Sequence, residues 1–200
     1  IFLDKTVPDI VEEVLKSEGF KNEDYELRMT REYPSREYVV QYEESDLDFL
    51  SRWLEHEGIF YFFEQQGDQK KEKMIFGDSL QAIPALGGED PLLYHKGAHG
   101  PEEMHASWHP KEAVHRYSCQ EEIIPKTVVL KDYNWRKPAL DLEVSAEVSP
   151  DGEGLVYEYN NHYKTKEEGE ALAKIRAEEI RCGEVLYQGR GDYSRMTVGR

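Results

Sequence analysis

The residues best suited to chemistry are five histidines, His95, His99, His105, His109 and His115, spaced HxxxHx5HxxxHx5H. Imidazoles four apart share one face of a helix, and several of them could gather around a zinc ion. Such a centre would make the chain a metal-dependent hydrolase. Gly97, Gly100, Pro101 and Pro110 break any helix there, however, and no HExxH supplies the general base of that class. The segment reads as a solvated, variable loop, with His95, His99, His105 and His109 as the candidate ligands of the competing hydrolase reading.

Asp46 and Asp48 could form a glycosidase pair only with a cleft and one raised pKa. They sit instead at a helix start, where free amides and the helix dipole stabilise acids. Ser45 lies in no nucleophile elbow, and Gly189-Arg190-Gly191 lacks the strand, turn and helix of a phosphate cradle. Those glycines fit a bulge or turn in a curved sheet better. No catalytic residue, cofactor or resident metal is expected, and Trp53 and Trp108 read as packing anchors in preference to sugar platforms.

The elements that must position these residues follow from spacing. Thr6-Val7-Pro8-Asp9 caps a helix over 8–18 that stops at Gly19. Extended chain covers 25–42. Ser45-Asp46-Leu47-Asp48 caps a second helix over 46–57, with Leu47, Leu50, Trp53 and Leu54 as its apolar stripe and Phe49 beside it. Gly58 ends it, and the aromatic strand 59–64 follows, hairpinned to Lys73–Phe76. Phe60 and Phe62 alternate with Tyr61 and Phe63, so both faces are apolar, for a core or a neighbouring subunit. Glycines and prolines over 79–105 allow only an irregular excursion. Strands over 106–120, 127–133, 140–148 and 155–159 lead to a helix capped by Thr165 and ended by Cys182-Gly183. The fold class is α+β, in two lobes, 1–105 and 106–200.

Forty-one acids against 25 bases give a formal charge of −16, which excludes phosphate backbones as partners. With 38% hydrophobic and 12% aromatic residues the chain can bury a core. No apolar run approaches the roughly 20 residues of a membrane span. Cys119 and Cys182 belong to no paired motif and read as buried free thiols.

The stretch Glu44 to Glu64, ESDLDFLSRWLEHEGIFYFFE, resembles the helix-then-strand signature of the VgrG family of type VI secretion spike proteins. Asp4–Val11, DKTVPDIV, and Val128–Pro138, VVLKDYNWRKP, are similar to two further stretches of that family, in the same order. The resemblance implies a phage tail hub-like module of small β-barrels with packed helices, related to the hub and late control D proteins of contractile phages. It implies a homotrimer that joins the six-fold inner tube, built of an Hcp-like protein, to a membrane-puncturing needle. Baseplate components, and an effector or tip protein reached through an absent C-terminal region, would be further partners. Such a protein assembles in the bacterial cytoplasm and is then secreted. The hub is not an enzyme, so no catalytic residue carries over. Leu47, Leu50, Trp53, Leu54, Phe60 and Phe62 are the structural or interface candidates. Strands before Ile1 and the needle after Arg200 are expected to be missing, and the histidine-rich loop departs from the family pattern. A contractile-phage hub is the alternative.

Overall fold

The computed structural model of the protein describes residues 1–66, 71–85, 93–94, 112–193, 196 and 198. The chain divides into two compact units, chiefly Ile1–Ala85 and Leu86–Met196. The expected lobe boundary at 105/106 lies outside the described residues.

In the first unit, α1 (Val7–Ser17) starts at Thr6, whose hydroxyl accepts from the Asp9 amide while the Asp9 carboxylate accepts from the Thr6 amide. This capping box satisfies two of the amides a helix start leaves open. β1 (Tyr25–Arg28) runs parallel to β3 (Lys71–Gly77), and β2 (Phe60–Gln66) pairs antiparallel with β3 from the other side, giving the order β1-β3-β2. α1 and α2 (Asp46–Glu57) bury their apolar stripes with Tyr25 and Phe76 of this sheet.

The turn after β3 is held by Asp78. Its side chain is shielded from solvent and accepts from the amides of Thr30 and Arg31 and the hydroxyls of Thr30 and Tyr33. Burial alone would raise this carboxyl, but the converging donors outweigh it and bring the pKa down to about 2. Because the folded value lies below the unfolded one, the stabilisation is complete above about pH 4 and disappears as pH falls towards 2. Asp78→Asn should therefore lose about 2 kcal/mol at pH 7. The gap to wild type should close between pH 4 and 2, read from urea unfolding at each pH.

In the second unit, β5 (Thr127–Lys131) is central, antiparallel to β6 (Val144–Glu147) and parallel to β7 (Leu155–Tyr159). α3 (Lys166–Arg181) lays Leu172, Ala173 and Ala177 with Val128 and Leu130 in a second core. Gly169 is required at its buried position, since a Cβ there would lie 2.5 Å from the Tyr163 ring. The buried Tyr163 hydroxyl donates to the Leu142 carbonyl, and burial pushes its pKa up to about 12. β4 (Val114–Glu121) pairs with β8 (Val185–Gly191) as a separate two-stranded ribbon. The ribbon's register shifts between Val114 and Arg116, opposite Gly191 and Arg190. A Cβ on Gly191 would lie 2.3 Å from the Ala113 carbonyl oxygen, so glycine serves close approach at an irregularity.

The α+β class holds, but the described strands form three open sheets, none closed into a barrel. Sheets of two or three strands cannot curl through a full circle. Both cysteines are free and exposed, which corrects the expectation of buried thiols: Cys119 lies on the ribbon and Cys182 at the end of α3. No helix among the described residues is long and apolar enough to cross a membrane.

Candidate interaction surfaces

α2 positions the first surface. Ser45 caps it by accepting from the Asp48 amide, and its hydroxyl donates to Asp48. Asp46 accepts from the Gln41 side chain at 2.6 Å, so both acids serve the helix start. Gly58, at φ +64°, ends the helix in the left-handed region that a residue with a Cβ enters at a cost. Arg31 donates to the Glu57 and Gly58 carbonyls, closing that end further.

Leu50, Trp53 and Leu54 point into the core with Phe49, which is fully buried and stacked on Phe2 at 5.5 Å. Leu47, placed on the stripe by spacing, is 60% exposed instead. At roughly 100° per residue Leu47 lies about 70° and Phe49 about 90° from the stripe's centre, on opposite sides, and the Phe2 ring draws Phe49 inward. Glu57 completes the buried stripe, a position the apolar pattern did not flag. Arg36 pairs with it at 2.5 Å and lies over Trp53 at 5.3 Å. Burial would raise the Glu57 carboxyl, but His56 and Arg36 beside it prevail and hold it below the ordinary value.

On β2, Phe62 is buried and Phe60 half-buried, their rings 6.3 Å apart. The opposite face carries Tyr61 and Phe63, the latter 48% exposed, edge to face at 6.2 Å. β2 is an edge strand among the described residues. Leu47, Tyr61 and Phe63 are therefore apolar groups that this unit leaves to solvent.

The β4–β8 ribbon is the second surface. Pairing Tyr117 with Gly189, Cys119 with Tyr187 and Glu121 with Val185 puts Tyr117, Cys119, Tyr187 and Val185 on one face. The tyrosine rings stack at 5.8 Å, yet Tyr187 is 61% exposed and nearly all of the ribbon faces solvent. Two-stranded ribbons are marginal in water unless a face is covered.

His95, His99, His105 and His109 lie outside the described residues, and His115 faces Asp192 at 3.3 Å. Among the described residues no group of three or more His, Cys, Asp or Glu could hold a metal ion. The acids that are strongly shifted serve structure: Arg28 and Lys73 hydrogen-bond Glu26 and bring it down to about 2.

The phage tail baseplate hub (GPD) family matches residues 1–200. The type VI secretion system spike protein VgrG1a of Pseudomonas aeruginosa is 30% identical over 91% of this chain and 27% of its own length. VgrG1c of the same organism is 31% identical over 90% of the chain and 24% of its own length. The spike protein VgrG3 of Vibrio cholerae is 28% identical over the whole chain and 19% of its own length. The chain thus spans about a quarter or less of these relatives. Among solved structures, the E. coli c3393 protein is similar with a TM-score of 0.61 and 22% identity, over 99% of this chain and 38% of that one. It is described as a component of the type VI secretion system with structural similarity to T4 bacteriophage tail proteins. A tail protein from Neisseria meningitidis MC58 gives a TM-score of 0.56 at 11% identity, over 92% of this chain and 50% of that one.

Proposed function

The chain belongs to the phage tail baseplate hub (GPD) family, and on that premise we propose that it is the hub portion of a VgrG-like type VI secretion spike, structural and without a catalytic step. Three copies form a ring that seats on an Hcp-like inner tube and the baseplate and carries a needle with its tip or effector. The assembly forms in the bacterial cytoplasm and is then driven out. In this reading the β1-β3-β2 sheet and the β4–β8 ribbon complete small barrels within the ring. The observation that carries the proposal is the family match across all 200 residues. The exposed Tyr117–Tyr187 face and the apolar groups Leu47, Tyr61 and Phe63 support it, since hub rings need such surfaces. The match to a family described as a phage tail baseplate hub supports a contractile-phage hub as the second reading.

The test is assembly. The 23.3 kDa chain should scatter light as a particle of about 70 kDa and bind purified tube-protein rings. Tyr187→Asp should reduce the particle to a monomer with little change in circular dichroism, because the side chain is largely exposed and stacks on Tyr117 at the surface of the ribbon. A monomer at every concentration that also ignores tube protein would refute the reading. Retained binding to phage tail-tube protein alone would favour the second.

A further inference from the structure

The second unit holds a groove of about 720 Å³ between β6 and α3. β6 is an edge of its sheet among the described residues. The Val148 amide donates inward to the Lys126 carbonyl, and the antiparallel register continues through Ala146 opposite Val128 and Val144 opposite Leu130. By the two-residue period, the amides and carbonyls of Ser145 and Glu147 point away from β5, towards the open edge. An edge of this kind is a template for one more strand.

The far wall of the groove is a row on α3: Lys166, Glu170, Lys174 and Glu178, all exposed and alternating in sign at every fourth residue. Charges so spaced usually pair along a helix. Here no ion pair among the described residues joins any of them, although Arg176 pairs with Glu179 on the same helix. Four residues of helix rise about 6 Å. Two residues of strand rise about 6.6 to 6.8 Å. A strand laid along β6 would therefore present every second side chain to this row nearly in step with it.

We propose that the β6–α3 groove binds an extended segment of a partner polypeptide by strand addition to β6, selecting segments whose charges alternate in sign at every second residue. Backbone hydrogen bonds to Ser145 and Glu147 supply affinity, and the α3 row supplies the choice of sequence and register. The proposal is independent of the hub reading, because neither the tube nor the trimer enters it.

The probe is the capped peptide Thr-Glu-Val-Lys-Val-Glu-Val-Lys-Val-Thr. Its control, Thr-Glu-Val-Glu-Val-Lys-Val-Lys-Val-Thr, has the same composition with like charges grouped. Titrated into the isotope-labelled chain, the alternating peptide should bind roughly fivefold or more tightly than the control, about 1 kcal/mol, and shift the Ser145 and Glu147 amide signals. Lys174→Glu, an exposed change, should erase that preference. Ser145→Pro should abolish binding of both peptides with the fold intact, since an edge strand tolerates proline where the amide faces outward. Equal binding of both peptides, or unmoved Ser145 and Glu147 amides, would overturn the proposal. Concentration-dependent self-association that shifts the same amides would overturn it too, by making a second copy the occupant.

Discussion

Arg36→Ala should cost roughly 3 to 5 kcal/mol at neutral pH, and the loss should shrink on acidification. Glu57 is buried on the inner stripe of α2, and the Arg36 guanidinium is its close cation. Without Arg36 a buried carboxylate keeps only His56 beside it, and Trp53 loses the cation over its ring. In the wild type the folded pKa of Glu57 is depressed, so its contribution is present above the ordinary carboxylate range and lost as pH falls through the folded value. In the variant His56 still opposes burial, but the lowering by Arg36 is gone and the folded pKa of Glu57 rises from its wild-type position. The penalty is then full at neutral pH and relieved as pH falls through the raised value. Urea unfolding from pH 8 to 4 should show the deficit shrinking with acidification, whereas a constant deficit would mean that Glu57 is not the group left stranded. The double replacement Arg36→Met with Glu57→Leu should recover most of the loss, because an apolar pair of similar volume needs no desolvation.

Glu57 also marks where reading the chain by pattern gives out. It falls three and four residues after Leu54 and Trp53, on the buried stripe, but an acid is the residue type least expected inside. Its cation lies far back in the sequence, in a segment whose spacing says only that it is extended. The hairpin of β2 and β3 was legible because aromatic residues and a polar turn are local signals. So were the caps of α1, α2 and α3, each a hydroxyl three residues before an acid. The ribbon was half legible. Tyr117 and Cys119 do alternate with polar neighbours, but β8 sets Leu186 between Val185 and Tyr187, carries two glycines and pairs with a strand more than sixty residues earlier. Nothing local announces such a partner, and a shorter separation, with Thr127 opposite Leu155, likewise hid the parallel pairing of β5 with β7. Cys119 was assigned to a core for the same reason: thiols are usually buried, and only the ribbon's isolation exposes this one.

Phe49→Ala should be the most damaging single truncation in the first unit, at about 3 to 5 kcal/mol. Phe49 is fully buried, Phe2 stacks on one side of it, and the Arg52 guanidinium lies 5.6 Å from its centroid. The ring also anchors the chain's start, since Phe2 exchanges backbone hydrogen bonds with Val39 at 2.9 Å in each direction. A double-mutant cycle of Phe2→Ala with Phe49→Ala should show coupling of about 0.5 to 1.5 kcal/mol. Leu47→Ala should stay within about 0.5 kcal/mol, although leucine there fits the helical stripe as well as phenylalanine at 49 does. The comparison decides which way α2 faces. If Leu47→Ala proved costly and Phe49→Ala mild, the helix would be rotated, and Leu47 would leave the set of apolar groups offered to a neighbouring subunit. If the order holds, stability and assembly separate cleanly. Phe49 then sets whether the helix is there, and Leu47, free of any duty in the core, is available for contact between copies.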